Sequence, residues 1–223
     1  MCVRFVTEAV GYISGPKGVS SCSTDPSTFT SPPKPVTDST TVTSGIKPDP
    51  EYRAALEHLA STRSAFIFPN SNPEHASLVI EALVTNAQNS VRIFEEKLNG
   101  DLLDINPRIL DAIREKTSKG VNVRIVIQDG TTATVDSVNK LRELEANSAG
   151  RLEIRKASPE FIRNATRPDG GITYFTIGDE SSFRIESSEA PRKAMCSFER
   201  PRIASTYLNQ FDKGYANCAK YFG

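Results

Sequence analysis

Few side chains in this 223-residue sequence are suited to covalent or acid–base chemistry, and they are scattered. The two histidines, His58 and His75, fall in stretches of helical periodicity with no partner group to orient an imidazole, so they read as surface or capping residues. Cys2, Cys22, Cys196 and Cys218 contain no C-x-x-C pair, which argues against a zinc knuckle or a thioredoxin-like centre and for reduced, structural thiols. Glu95, Glu96, Asp101 and Asp104 in "FEEKLNGDLLD" could be imagined around a hard cation. Without a histidine or a fixed short spacing they fit a solvated loop better, and neither a metal nor another cofactor is expected.

Cations are the other candidates. Arg163 and Arg167 follow "RLEIRK", and "APRKAMCSFERPR" carries Arg192, Lys193, Arg200 and Arg202. Paired arginines at such places can hold a phosphate bidentately, or simply form solvated faces interspersed with glutamate. Arg184, Arg192 and Lys193 make up the candidate ligand-binding set. Arg184 precedes Glu186 by two residues, on the same side of a strand, and so reads more readily as a structural ion pair.

The elements that must position these groups begin at Asp49. "DPEYRAALEHLASTRS" opens with an Asp-Pro start signal and places Tyr52, Leu56 and Leu59 at helical spacing. "AFIFP" is a short strand, "NPEHASLVIEALVTNA" a helix entered through Asn72 and Pro73, and "SVRIFEE" a strand. "NPRILDAIREKTSKG" is a helix closed by Gly120, followed by the apolar strand "VNVRIVIQD". "TVDSVNKLRELEANSAG" is a helix ending at Gly150, and "RLEIRKAS" a strand. "ITYFTIGDESSFRIE" then reads as a hairpin, and a terminal helix places Ile203, Tyr207, Leu208 and Phe211 on one face. Such alternation predicts an α/β domain over 49–223, its sheet mixed but mostly parallel and flanked by helices.

Ahead of it, residues 20–48 contain 19 Ser, Thr or Pro among 29, too little apolar surface to offset the entropy of ordering. Residues 1–48 are therefore expected to be a disordered segment. Lys plus Arg and Asp plus Glu balance at 27 each, so no global field draws the chain to nucleic acid or an anionic membrane, and such binding has to be local. No apolar run spans a bilayer and the first residues lack a signal-peptide core; the expected compartment is the cytoplasm.

From about residue 73 to 222, the order of helices, strands, hairpin and closing helix resembles one half of the phospholipase D-like superfamily. That resemblance implies an H-x-K-x-x-x-x-D motif on the first hairpin strand, two copies of which meet across a twofold axis. The histidine attacks phosphorus, the lysine neutralises phosphate oxygens, and the partner copy's histidine protonates the leaving group. Setting Asp179 on the motif's Asp puts Ile172 at the His position and Tyr174 at the Lys position. Glu186, Ser187 and Glu189 then fall where the family often has Gly, Ser and Asn, so that Asp179 and Ser187 alone match. No histidine follows His75, so no register restores the nucleophile. Ile172 cannot form a phosphoenzyme, and Tyr174, with a phenol pKa of about 10, has no neighbouring His or Lys to activate it.

The expectation is a catalytically degenerate binding or assembly module, not an enzyme in its own right, acting on a phosphate-containing ligand or nucleic acid. Its partner would be a second copy or a related phospholipase D-like chain, without membrane attachment. The alternative is a phosphodiesterase or nuclease whose site a partner completes.

Overall fold

The computed structural model describes residues 50–70, 72–96, 106–128, 135–186 and 193–222. The proposed disordered segment, Cys2, Cys22, Asp101, Asp104, Ser187, Glu189 and Arg192 lie outside the described residues. Among these described residues, six helices and eight strands follow in the order α1 Pro50–Ser61, β1 Phe68–Asn70, α2 Pro73–Asn86, β2 Ser90–Glu95, α3 Arg108–Ser118, β3 Asn122–Ile127, α4 Val135–Asn147, β4 Leu152–Lys156, α5 Pro159–Ala165, β5 Phe175–Gly178, β6 Ser182–Glu186, β7 Ala194–Ser197, α6 Pro201–Tyr215 and β8 Ala219–Lys220.

Local signals act where the sequence places them. The Asn72 side chain accepts the His75 amide at 2.7 Å and caps α2, with Pro73 in the first turn. Gly120, at φ +89°, ends the α3 segment in a conformation that side chains disfavour. α5 was not foreseen: Ser158 caps it by accepting the Phe161 amide at 3.1 Å, and seven residues are too few for a periodic pattern.

All eight strands form one sheet in the order β1-β7-β6-β5-β2-β3-β4-β8. It is mixed, but the expectation that it is mostly parallel is corrected. Among the described residues, only β2–β3 and β3–β4 pair in parallel, while β1–β7, β2–β5, β4–β8, β5–β6 and β6–β7 are antiparallel. Helical crossovers return the chain in parallel through β4, whereas β5, reached through α5, runs antiparallel to β2, and the tight turn at Asp179 reverses the chain into β6. The hairpin is also shorter than expected. Its first strand starts at Phe175, and Ile172 instead forms an isolated bridge to Thr166.

Helices cover both faces. α2, α3 and α4 pack with Ile93, Ile125 and Ile154 on one, where α1 joins α2 over Phe68 and Cys196. α5 and α6 pack with Phe94, Val126, Phe175 and Ile185 on the other. Three helices are also clamped by charge. Glu81 of α2, buried at 7% exposure, receives two bonds from Arg53 of α1 at 2.8 and 3.0 Å and one from Asn106 at 2.7 Å, with Arg108 of α3 at 3.2 Å. No helix among the described residues is long and apolar enough to cross a membrane.

Candidate functional site

The segment expected to align with the motif, 172–179, contains β5 and extends past both of its ends, and those ends have different chemistry. At one end Asp179 stands in the β5–β6 turn with φ +51°. Its carboxylate accepts the amides of Gln88, Asn89 and Ser90 at 2.9, 2.7 and 3.0 Å, and its own amide donates to Ser90 O at 2.8 Å. Those bonds tie the hairpin turn to the loop entering β2. Asp179 therefore has a structural task sufficient to explain it.

At the other end, Tyr174 precedes β5 and accepts the Glu186 amide on its carbonyl at 2.9 Å. Its ring is half-buried against Phe94, with centroids 5.2 Å apart, and its hydroxyl donates to Gln128 Oε1 at 2.6 Å. Burial first, and then the charges of Glu96, Glu186 and Glu95, hold the proton on this phenol well above its ordinary range. Ile172, half-buried, gives its carbonyl to Arg167 Nη1 at 2.9 Å, in a loop that Arg167 also braces through Asp169 at 3.2 Å. Neither position carries a histidine or a lysine.

Beside Tyr174 the sheet holds a buried polar cluster that the sequence only half disclosed. Arg184 has 0% exposure and lies on the face under α1 and α2. Its Nη2 donates to Glu186 at 2.9 Å, its Nε donates to Asn70 Oδ1 at 3.2 Å, and its Nη1 is 3.8 Å from Glu95. The ion pair with Glu186 is the one the strand spacing suggested. Glu95 is a correction: it is buried and faces Arg184, where a solvated loop was expected. β6 and β7 pair Arg184 with Cys196, whose thiol also meets Asn70 at 3.4 Å; burial pushes that thiol up to about 12, against the pull of Arg184. Asn70 and Glu95 come from strands far from Arg184 in sequence. No local pattern could have joined them.

The remaining candidates are dispersed. Lys193 is exposed just before β7. Arg200 donates to Ala65 O at 2.7 Å, and Arg163 and Arg202 are exposed on α5 and α6. His75 stacks on Tyr52 with centroids 3.7 Å apart, and His58 is exposed on α1. Cys196 and Cys218 are free and buried. Among the described residues no group of three or more His, Cys, Asp or Glu is placed to hold a metal ion. Two clefts, of about 250 and 620 Å³, open elsewhere: one between α1, α2 and α3 around Glu81, the other at the C-terminal ends of α3 and α4.

No protein-family model matches the sequence, and no curated protein matches it. Solved structures do. Nuc from Salmonella typhimurium, a phospholipase D family member, is 17% identical, with a TM-score of 0.53 over 71% of this chain and 99% of that one. NucT from Helicobacter pylori is 13% identical, with a TM-score of 0.50 over 70% of this chain and 98% of that one. At these identities the likeness is one of fold.

Proposed function

We propose that this chain, which has the phospholipase D-like fold, is a non-catalytic binding or assembly module of that fold. The observation that supports this most directly is the surrounding of Tyr174. Phosphoryl transfer by the route the resemblance implies needs an imidazole to attack and a cation to neutralise the phosphate oxygens. Here the corresponding end of β5 offers a phenol that keeps its proton, bonded to Gln128, among Glu95, Glu96 and Glu186. Carboxylates so placed repel a phosphodiester. Arg184, the cation beneath them, is buried and turned toward Glu186 and Asn70.

The same acidity bears on the partner. A twofold contact through this end, where Glu186 is already paired to Arg184, would bring the exposed Glu96 of one copy toward that of the other, a like-charge approach that disfavours a homodimer near neutral pH. A related phospholipase D-like chain that retains its His and Lys is the more complementary partner. It would meet carboxylates with cations, and could itself carry whatever activity the assembly has.

Purified protein incubated with labelled single- and double-stranded nucleic acid and with a generic phosphodiester, with and without EDTA, is expected to give no turnover. Turnover that follows the protein through purification and is lost in Tyr174→Phe would overturn the reading and make Tyr174 the nucleophile. Sedimentation of the chain alone at micromolar concentration is expected to give monomer near pH 7. A stable dimer that Tyr174→Asp dissociates would restore the homotypic twofold contact.

A further inference from the structure

On the sheet face covered by α6, arginines stand directly opposite one another on neighbouring parallel strands. Arg92 of β2 pairs in register with Arg124 of β3, and Arg124 in turn with Glu153 of β4. Like charges directly opposed across a ladder repel, so something must compensate them. The protein supplies little. Asp212 of α6 lies 3.5 Å from Arg92 Nε and 3.9 Å from Arg124 Nη1, and Glu153 is 3.8 Å from Arg124 Nε. All three distances exceed those of a charge-assisted hydrogen bond.

Glu153 is committed elsewhere. It takes Arg155 Nη2 at 2.9 Å and the Tyr215 hydroxyl at 3.1 Å. Arg155 is well provided for, with the carbonyls of Tyr215 and Cys218 at 3.2 and 3.5 Å and the Tyr215 ring 4.2 Å away. Arg124 gains only the rim of that ring, at 4.9 Å. Two guanidinium groups, with five N–H donors each, therefore make no hydrogen bond to the described protein, and Arg92 Nε is buried in that state. Access remains open, since the side chains of Arg124 and Asp212 are 37% and 44% exposed.

We propose that Arg92 and Arg124 form a binding site for a phosphate group, with Asp212 as the internal carboxylate that occupies it weakly when no ligand is present. A tetrahedral oxyanion brings several acceptors and the negative charge that two opposed guanidinium groups lack. Its oxygens can take bidentate bonds from both. The site lies on the strand half away from Tyr174, near the start of β2, so it does not depend on whether the motif end is catalytic. Phosphate is the shared chemistry of two sources, a free small molecule and a nucleic-acid backbone.

The test is a titration of the full chain with inorganic phosphate by calorimetry, and with a labelled single-stranded oligonucleotide by anisotropy at low salt. Binding of at least one probe is expected, weakened about tenfold or more in Arg124→Gln, which removes charge-assisted bonds. Asp212→Asn is expected to tighten binding by withdrawing the competing carboxylate, whereas a merely structural ladder would lose stability without changing affinity. Phosphate binding alone assigns the site to small molecules. Oligonucleotide binding that falls steeply with salt assigns it to a backbone. The proposal is overturned if neither probe binds wild type or Asp212→Asn. It is equally overturned if Arg124→Gln, folded by circular dichroism, binds as wild type does; should that variant misfold, Asp212→Asn decides alone, and unchanged affinity in it counts against the site.

Discussion

Arg184 and the Arg92–Arg124 pair sit in one sheet, yet the protein treats them oppositely. Arg184 is the more deeply buried and the better satisfied, with Glu186, Asn70 and Glu95 drawn from three strands around one guanidinium. Arg92 and Arg124 lie nearer the surface, share a distant Asp212, and make no hydrogen bond to the described protein. Burial alone does not explain the contrast, because desolvating a charge raises the penalty for leaving it unpaired. The cluster that cannot reach water is closed by the fold, and the one that can is left open. Closed charge serves stability; open charge is available to a ligand.

The largest consequence falls on Arg184. Arg184→Met would leave Glu186 and Glu95 facing each other in a low-dielectric site, and should cost about 3–5 kcal/mol in urea unfolding at neutral pH. A loss under about 1 kcal/mol would mean that these carboxylates take up protons without consequence and that the cluster is not a stabilising unit.

Glu81 extends the comparison to a closed cluster of the opposite sign. Burial raises its carboxyl, but the bonds from Arg53 and Asn106 and the charge of Arg108 outweigh that and hold it below the usual glutamate range. A pKa depressed in the folded state contributes stability above the unfolded value of about 4.3, and that contribution is lost as pH falls through the folded value. Glu81→Gln should therefore cost about 1–2 kcal/mol at pH 7 and progressively less below pH 4, converging with wild type in acid. Curves that stay parallel across that range would show that the clamp is steric and not ionic.

Arg92→Met should have the smallest effect, under about 1 kcal/mol of either sign in the same unfolding assay, since it removes a charge that the protein does not pair well and leaves Asp212 partly exposed. A cost as large as that of Arg184→Met would place Arg92 among the closed charges and remove the distinction on which the phosphate site rests.

Much of the fold was legible in the sequence because its cues are local. The Asn72 cap, the Gly120 stop, the helical spacing of Tyr52, Leu56 and Leu59, and the apolar runs of β2 and β3 each act within a few residues. The element order alone suggested the phospholipase D-like fold, and the ion pair of Arg184 with Glu186 could be read from a spacing of two. The sheet is less parallel than the sequence suggests because helix–strand alternation governs only β2 to β4, whereas the antiparallel half depends on short strands, β7 and β8 among them, that carry too few residues to declare a pattern. Tertiary structure alone decided which charges meet. Glu95 and Asn70 reach Arg184, and Arg92 comes to face Arg124, through strand order and register across the sheet. Those are set by packing energies summed over the whole core, and no short window of sequence contains them.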